Sequence, residues 1–86
     1  MKTYVFSFIL EQNLEDEVIC ENCVIRTNVP IDKLTSIVMD LFKEHTGVAL
    51  DSIYFNTDDK KFHAELEDCY VYIDYELLPY IEYRME

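Results

Sequence analysis

Two cysteines three positions apart are the first residues whose type and spacing suggest chemistry. Cys20 and Cys23 form a C-x-x-C pair, the spacing that supplies two thiolates to zinc when the chain turns between them. A complete site needs two more ligands, for which the sequence offers Cys69, His45 and His63. On a regular strand, however, the two thiols of the pair lie on opposite faces. Zinc binding by Cys20, Cys23 and Cys69 is therefore only a minor alternative, and we predict no metal and no cofactor.

Catalysis finds little support in the sequence. None of the local motifs of serine hydrolases, zinc proteases or P-loop enzymes occurs. The single glycine, Gly47, excludes a glycine-rich phosphate-binding loop. Carboxylates near either histidine carry little information, because 18 acidic residues make such proximity nearly certain. We therefore predict that the protein is not an enzyme and acts by binding.

Acidic residues are the largest chemically distinct group in the chain. The 18 Asp and Glu residues outnumber seven Lys and Arg residues, which leaves a formal net charge of −11. So much like charge on a small folded body opposes folding by self-repulsion. It also disfavours direct binding to nucleic-acid phosphates or acidic lipids. We therefore expect the acids either to maintain solubility or to meet a basic partner.

Two groups of acids stand out by their position. One surrounds an early loop at 12–17, and the other lies in a predicted hairpin near the C-terminus. In the hairpin, Glu65 with Glu67 and Asp74 with Glu76 are each two residues apart. Same-face residues at that spacing on a strand lie roughly 6.5–7 Å apart, a distance comparable with that between neighbouring phosphates of a nucleic acid. The spacing predicts a surface that imitates nucleic-acid charge.

The predicted function is that of a small acidic inhibitor. It occupies the basic, nucleic-acid-binding surface of another protein, as phage anti-defence proteins of the anti-CRISPR type or immunity proteins of nuclease toxins do. Electrostatic attraction steers such association, and tyrosines add large contact areas with a polar tip. The expected partner is a basic protein, without direct contact to nucleic acid or membrane. The residues predicted to contact it are Glu15, Asp16, Glu17, Glu65, Glu67, Asp68, Tyr70, Tyr72, Asp74 and Glu76.

An alternative function stays open at this point. The chain is then a non-catalytic interaction or assembly subunit, including a homodimer, and its charge only maintains solubility. An exposed, tyrosine-rich sheet face forms the contact. That face contains Tyr70, Tyr72, Asp74 and Glu76 of the last strand, with His63, Glu65 and Glu67 beside them.

Alternating apolar and polar residues predict most of the secondary structure. The clearest case is the first strand, where Tyr4, Phe6, Phe8 and Leu10 share one face. The polar pair Glu21-Asn22 interrupts the second strand, and a bulge or tight turn is expected there. The predicted strands are residues 3–11, 18–29, 52–56, 60–66 and 69–76.

One amphipathic helix separates the second and third strands. Apolar residues recur with a spacing of 3.6 after Pro30, and Gly47 suits a left-handed C-cap. The stripe predicted to be buried consists of Ile31, Leu34, Ile37, Val38, Leu41 and Phe42.

These elements predict one α+β domain over residues 1–86. A small antiparallel sheet of about four or five strands, in the order β-β-α-β-β-β, carries one helix on one face. The segment 77–86 is consistent with either a short helix or an edge strand. An odd number of cysteines, three, fits a reducing compartment, and no signal segment or membrane span is apparent, so we expect a cytoplasmic location.

Overall fold

A computed structural model describes residues 1–12 and 17–78 of the chain. Five antiparallel strands and one helix follow one another in the predicted order, with a 3-10 turn at Ile31–Lys33 before the helix. The predicted α+β class is therefore confirmed. The elements are β1 (Lys2–Gln12), β2 (Glu17–Thr27), α1 (Thr35–Thr46), β3 (Ser52–Asn56), β4 (Lys61–Glu65) and β5 (Cys69–Leu78).

β1 is the central strand of a three-stranded antiparallel sheet with the order β2-β1-β5. The pairing of β1 with β2 covers all 11 residues of both strands. The predicted bulge or turn at Glu21-Asn22 is wrong, because Phe8 pairs with Glu21 and Ser7 with Asn22 in an unbroken register. Both polar residues are exposed on a strand at the border of the sheet, so the regular pairing leaves neither of them buried.

The inner face of this sheet, which packs against α1, carries the core. Alternate residues of β1 point inward because successive side chains of a strand lie on opposite faces. The ring centroids of Phe8 and Phe42 lie 5.4 Å apart in an edge-on arrangement, which joins β1 to the helix. The buried apolar residues are Tyr4, Phe6, Phe8, Leu10, Leu34, Val38, Phe42, Leu50, Phe62 and Ile73.

α1 ends where the sequence predicts. Gly47 adopts φ 78°, and its N–H donates to the carbonyl oxygen of Lys43, which closes the last turn. Val38 and Phe42 are buried as expected. Ile37 departs from the prediction, since 41% of its surface is exposed. The buried stripe is therefore narrower than the sequence periodicity indicates, because a single sheet covers only one side of the helix.

β3 and β4 form a separate two-stranded sheet. Side chains hold the four-residue turn between them, 57–60. The side-chain amide oxygen of Asn56 accepts the backbone N–H of Asp58 at 2.8 Å, and a carboxylate oxygen of Asp59 accepts the backbone N–H of Lys61 at 3.0 Å. Across the described residues, no strand ladder joins β4 to β5. We call the gap between these two strands the seam. The sequence predicts one sheet, whereas the structure divides its five strands into two.

The structure shows only the first two residues of segment 77–86, which the sequence left open as a short helix or an edge strand. Leu77 and Leu78 belong to β5. The remainder of that prediction, including Pro79, lies outside the described residues, as does the predicted loop at 13–16.

Candidate acidic binding surface

The seam opens to solvent as a groove with a volume of about 450 Å³. Three carboxylates and two tyrosines lie along it, together with apolar side chains of β4 and β5. None of the lining residues is Lys or Arg. We call this feature the acidic groove. Its lining residues are Asp51, Ala64, Glu65, Leu66, Glu67, Cys69, Tyr70, Val71 and Tyr72.

Strand alternation in β5 sets the character of one wall. Val71 and Ile73 turn inward, and Ile73 is buried in the core. Tyr70 and Tyr72 therefore point to the opposite, outer face, where 56% and 50% of their surfaces are exposed. Their rings present apolar area to solvent, and each hydroxyl adds a hydrogen-bonding tip.

A tight turn between β4 and β5 sets the other end of the groove. The N–H of Cys69 donates to the carbonyl oxygen of Leu66 at 3.2 Å, and Asp68 takes the left-handed conformation with φ 59°. The turn lies at residues 67–68, between the predicted strands 60–66 and 69–76. Asp68 is exposed at the turn but does not line the groove.

Asp51 belongs to the groove although the sequence analysis did not select it. One of its carboxylate oxygens accepts the backbone N–H of Glu67 at 3.0 Å, and its own N–H donates to the carbonyl oxygen of Glu65 at 2.9 Å. These bonds place the carboxylate of Asp51 beside two predicted acids. Only the antiparallel pairing of β3 with β4 brings together residues so distant in the chain, so no local signal marks Asp51.

The structure brings together Glu65, Glu67, Tyr70 and Tyr72 of the predicted contact residues. The predicted strand spacing between Glu65 and Glu67 is wrong, because β4 ends at Glu65 and Glu67 lies in the turn. The carboxylates then follow the course of the turn and not a regular strand pitch.

Asp74 and Glu76 have the predicted arrangement but lie outside the groove. Both are exposed on the outer face of β5, two residues apart on a regular strand. Glu17 starts β2 and is separated from β5 by the central strand β1. Glu15 and Asp16 lie outside the described residues.

β1 and β2 carry acidic residues at one end and basic residues at the other. Glu11 and Glu17 lie at the end of the sheet that holds Cys69 and the acidic groove, as the pairing of Gln12 with Cys69 shows. Lys2 and Arg26 occupy the other end, where β1 begins and β2 finishes. Glu11 and Glu17 therefore add negative charge to the end of the sheet beside the groove.

His63 is not part of the groove, contrary to its predicted place beside Tyr70 and Tyr72. It stacks on Tyr54, its partner across the β3–β4 ladder, with ring centroids 5.3 Å apart. Its Nε2 atom lies 2.7 Å from an Asp59 carboxylate oxygen. Desolvation, the largest single influence, raises the pKa of Asp59, but the hydrogen bonds from His63 and from the Lys61 N–H, together with the charges of these two residues, hold the pKa below its usual value. This pair closes the turn of the small sheet.

The three cysteines do not converge on one point. Cys20 is exposed on the outer face, whereas Cys23 packs on the inner face opposite Phe6, as regular alternation requires. Cys69 lies on β5, on the far side of β1. Among the described residues no group of three or more potential ligands is placed to hold a metal ion. The zinc alternative therefore has no geometric support.

Among the described residues, no helix is both long enough and apolar enough to cross a bilayer. The chain matches no protein-family model, no curated protein and no solved structure.

Proposed function

We propose that the protein is a small acidic inhibitor that binds the nucleic-acid-binding surface of a basic partner protein through the acidic groove and the outer face of β5. The observation that carries the proposal is the co-location of Asp51, Glu65 and Glu67 with Tyr70 and Tyr72 along one open groove. Carboxylates steer a basic partner toward this edge, and the tyrosines supply contact area that salt does not screen.

The openness of the groove favours a protein partner over a small molecule. The groove is open to solvent, and its two tyrosines are half exposed. Small-molecule sites usually bury most of their ligand in an enclosed, apolar cavity. An inhibitor of phage anti-defence or toxin-immunity type, acting in the cytoplasm without a cofactor, is the form of this function that we favour, and it involves no catalysis.

A second candidate function rests on a different observation. The outer face of the three-stranded sheet, which carries Tyr70 and Tyr72 on β5, also exposes apolar side chains at its opposite border: Val18 and Val24 on β2 are 58% and 62% exposed. Isolated exposed residues are normal, but a contiguous apolar face indicates a contact surface. In this alternative the protein is an assembly subunit, and its acidic residues only maintain solubility. Binding by such a face responds weakly to salt, which separates the two candidates.

A charge-reversal experiment tests the proposed inhibitor. The protein is immobilised and exposed to an extract of the cells that contain it, as wild type and as the triple variant Glu65→Lys, Glu67→Lys, Asp74→Lys. We expect the wild type to retain basic proteins that salt or added nucleic acid releases. The variant should lose roughly tenfold in affinity, which corresponds to about 1.4 kcal/mol.

The matched control carries the same charge change on the helix side. Asp32→Lys, Asp40→Lys and Glu44→Lys replace exposed acids, and each triple variant raises the net charge from −11 to −5, because every substitution adds two units. The control should bind as the wild type does. Equal losses in both variants would show a bulk charge effect and refute the assignment of the groove. Retention that added nucleic acid does not reduce would refute the imitation of nucleic acid.

A further inference from the structure

β2 has a long free edge. The order β2-β1-β5 leaves β2 with a neighbouring strand on one side only, within residues 1–12 and 17–78. The strand has 11 residues, with the sequence EVICENCVIRT, and pairs with β1 without a bulge. It contains no proline and no lysine, two residues that block such edges; its charged residues are Glu17 and Arg26 toward the two ends and Glu21, whose side chain lies on the inner face. In the described part of the chain, the main-chain groups along this edge are thus available to another strand.

Apolar side chains line this edge on more than one side. Val18 and Val24 are exposed on its outer face. On the inner side, Glu44 of α1 lies close enough to Cys23 to act on its thiol. Ile37 precedes Glu44 by seven residues, two helical turns, so it occupies the same side of α1. Ile37 is 41% exposed on that side of the helix.

We propose that β2 pairs in antiparallel fashion with β2 of a second copy of this chain, around a two-fold axis at Asn22. The pairing joins two three-stranded sheets into one sheet of six strands. A continuous sheet requires paired residues to share a face, and centring on Asn22 satisfies this for every pair. Cys20 then lies opposite Val24 of the second copy, and Ile19 lies opposite Ile25.

This register is complementary in charge at the two ends of the paired strands. Glu11 lies beside Val18 in one cross-strand row, and the next residue of that row is Arg26 of the second copy. The acidic end of each sheet thus meets the Lys2 and Arg26 end of the other. Moving the axis to Glu21 places Glu21 against Glu21 of the second copy, where like charges are destabilising. Moving it to Cys23 leaves only residues 19–27 paired and removes the pairing of Val18 with Arg26.

The pairing offers enough main-chain bonds for a specific interface. Alternate residues of an antiparallel pair each donate and accept, so 11 paired residues form roughly ten hydrogen bonds. A typical protein interface contains about ten direct hydrogen bonds. The dimer is independent of the proposed function, because the acidic groove lies along β5, at the opposite border of the sheet, and stays open in both copies.

The molar mass in solution tests the proposal, measured by light scattering and sedimentation over a dilution series in the presence of a thiol reductant. The wild type is expected at twice the chain mass of 10.3 kDa. Cys20→Lys with Val24→Lys places lysines opposite lysines in this register and should give a monomer. Cys20→Glu with Val24→Lys places opposite charges against each other twice and should restore the dimer.

Two further variants complete the test. Ser52→Lys with Tyr54→Lys puts the same charges on β3, the free edge of the small sheet, and should leave the dimer intact. Asn22→Lys brings two lysines together on the axis, and it serves as a second monomeric variant if circular dichroism shows that the first is unfolded. A monomeric wild type, a dimer that survives the β2 lysines, or a folded monomer of the Glu/Lys variant would each overturn the proposal.

Discussion

The hydroxyl group of Tyr75 donates a 2.7 Å hydrogen bond to the backbone carbonyl oxygen of Lys60. Tyr75 belongs to the three-stranded sheet, and Lys60 ends the turn before β4 in a left-handed conformation with φ 57°. The ring of Tyr75 also meets Phe62 of β4 edge-on, at a centroid distance of 5.8 Å. One side chain therefore bridges the two sheets where no strand ladder of the described residues does so.

Replacing Tyr75 with Phe removes the bridging hydrogen bond and keeps the ring. We expect the free energy of unfolding to fall by about 1 kcal/mol, the usual net contribution of one hydrogen bond. Urea denaturation measures the change. Tyr72→Phe, on the exposed face of the same strand, is the control and should change stability by less than half as much. Equal effects at both positions would show that the bridge contributes nothing specific.

Ionisation of Tyr75 should make the free energy of unfolding depend on pH in the alkaline range. Burial raises the pKa of its phenol, with smaller contributions from Tyr4 and Asp59. A folded pKa above the unfolded value stabilises the protein fully below about pH 10, and this stabilisation is lost as pH rises through the folded pKa. The difference in unfolding free energy between the wild type and Tyr75→Phe should therefore stay constant below pH 10 and narrow above it. A constant difference up to higher pH would contradict the raised pKa.

The helix offers a comparison between a buried and a half-exposed apolar residue. Phe42 is fully buried against Phe8, so Phe42→Ala should lower the free energy of unfolding by about 3–5 kcal/mol. Ile37 is 41% exposed, so Ile37→Ala should lower the free energy of unfolding by less than about 1 kcal/mol. Thermal or urea denaturation of both variants checks this order, and similar losses would mean that Ile37 is packed as the sequence periodicity predicts.

Gly47 ends the helix in a conformation that L-residues disfavour. No heavy atom lies within 4 Å of a Cβ added there, so the cost of Gly47→Ala comes from the backbone alone. We expect a loss of about 1 kcal/mol, and a smaller loss for Gly47→Asn, because Asn tolerates the left-handed region better. Denaturation curves of the two variants measure the difference. An alanine variant as stable as the wild type would contradict the cap.

The three thiols should differ in reactivity. Cys20 is exposed, whereas Cys23 and Cys69 pack against the core. Burial raises the pKa of the Cys23 thiol, and nearby Glu44 adds to this. Thiolate is the reactive species, so Cys23 should react with iodoacetamide more slowly than Cys20 and require higher pH.

Mass spectrometry of timed samples measures these rates. Cys20→Ser should remove the fast phase, and all three sites should react together in urea. Labelling of Cys23 as fast as Cys20 in the folded protein would contradict the inner position of its side chain.

Local patterns in the sequence determined the elements and their faces. The alternation of β1 predicts the buried row from Tyr4 to Leu10, and Gly47 predicts the end of α1. Alternation likewise assigns Tyr70 and Tyr72 to the outer face of β5. These features depend on the spacing of neighbouring side chains along one strand or helix, which the sequence contains directly.

Tertiary structure alone decided how the strand edges meet. The seam between β4 and β5, the membership of Asp51 in the acidic groove, and the regular course of β2 through Glu21-Asn22 all follow from pairings between distant segments. A local pattern cannot rank such pairings, because their free energy depends on which partner strand supplies the hydrogen bonds and on which side chains it buries. The sequence determines how many acidic residues the chain has, but only the fold brings Asp51, Glu65 and Glu67 together along one groove.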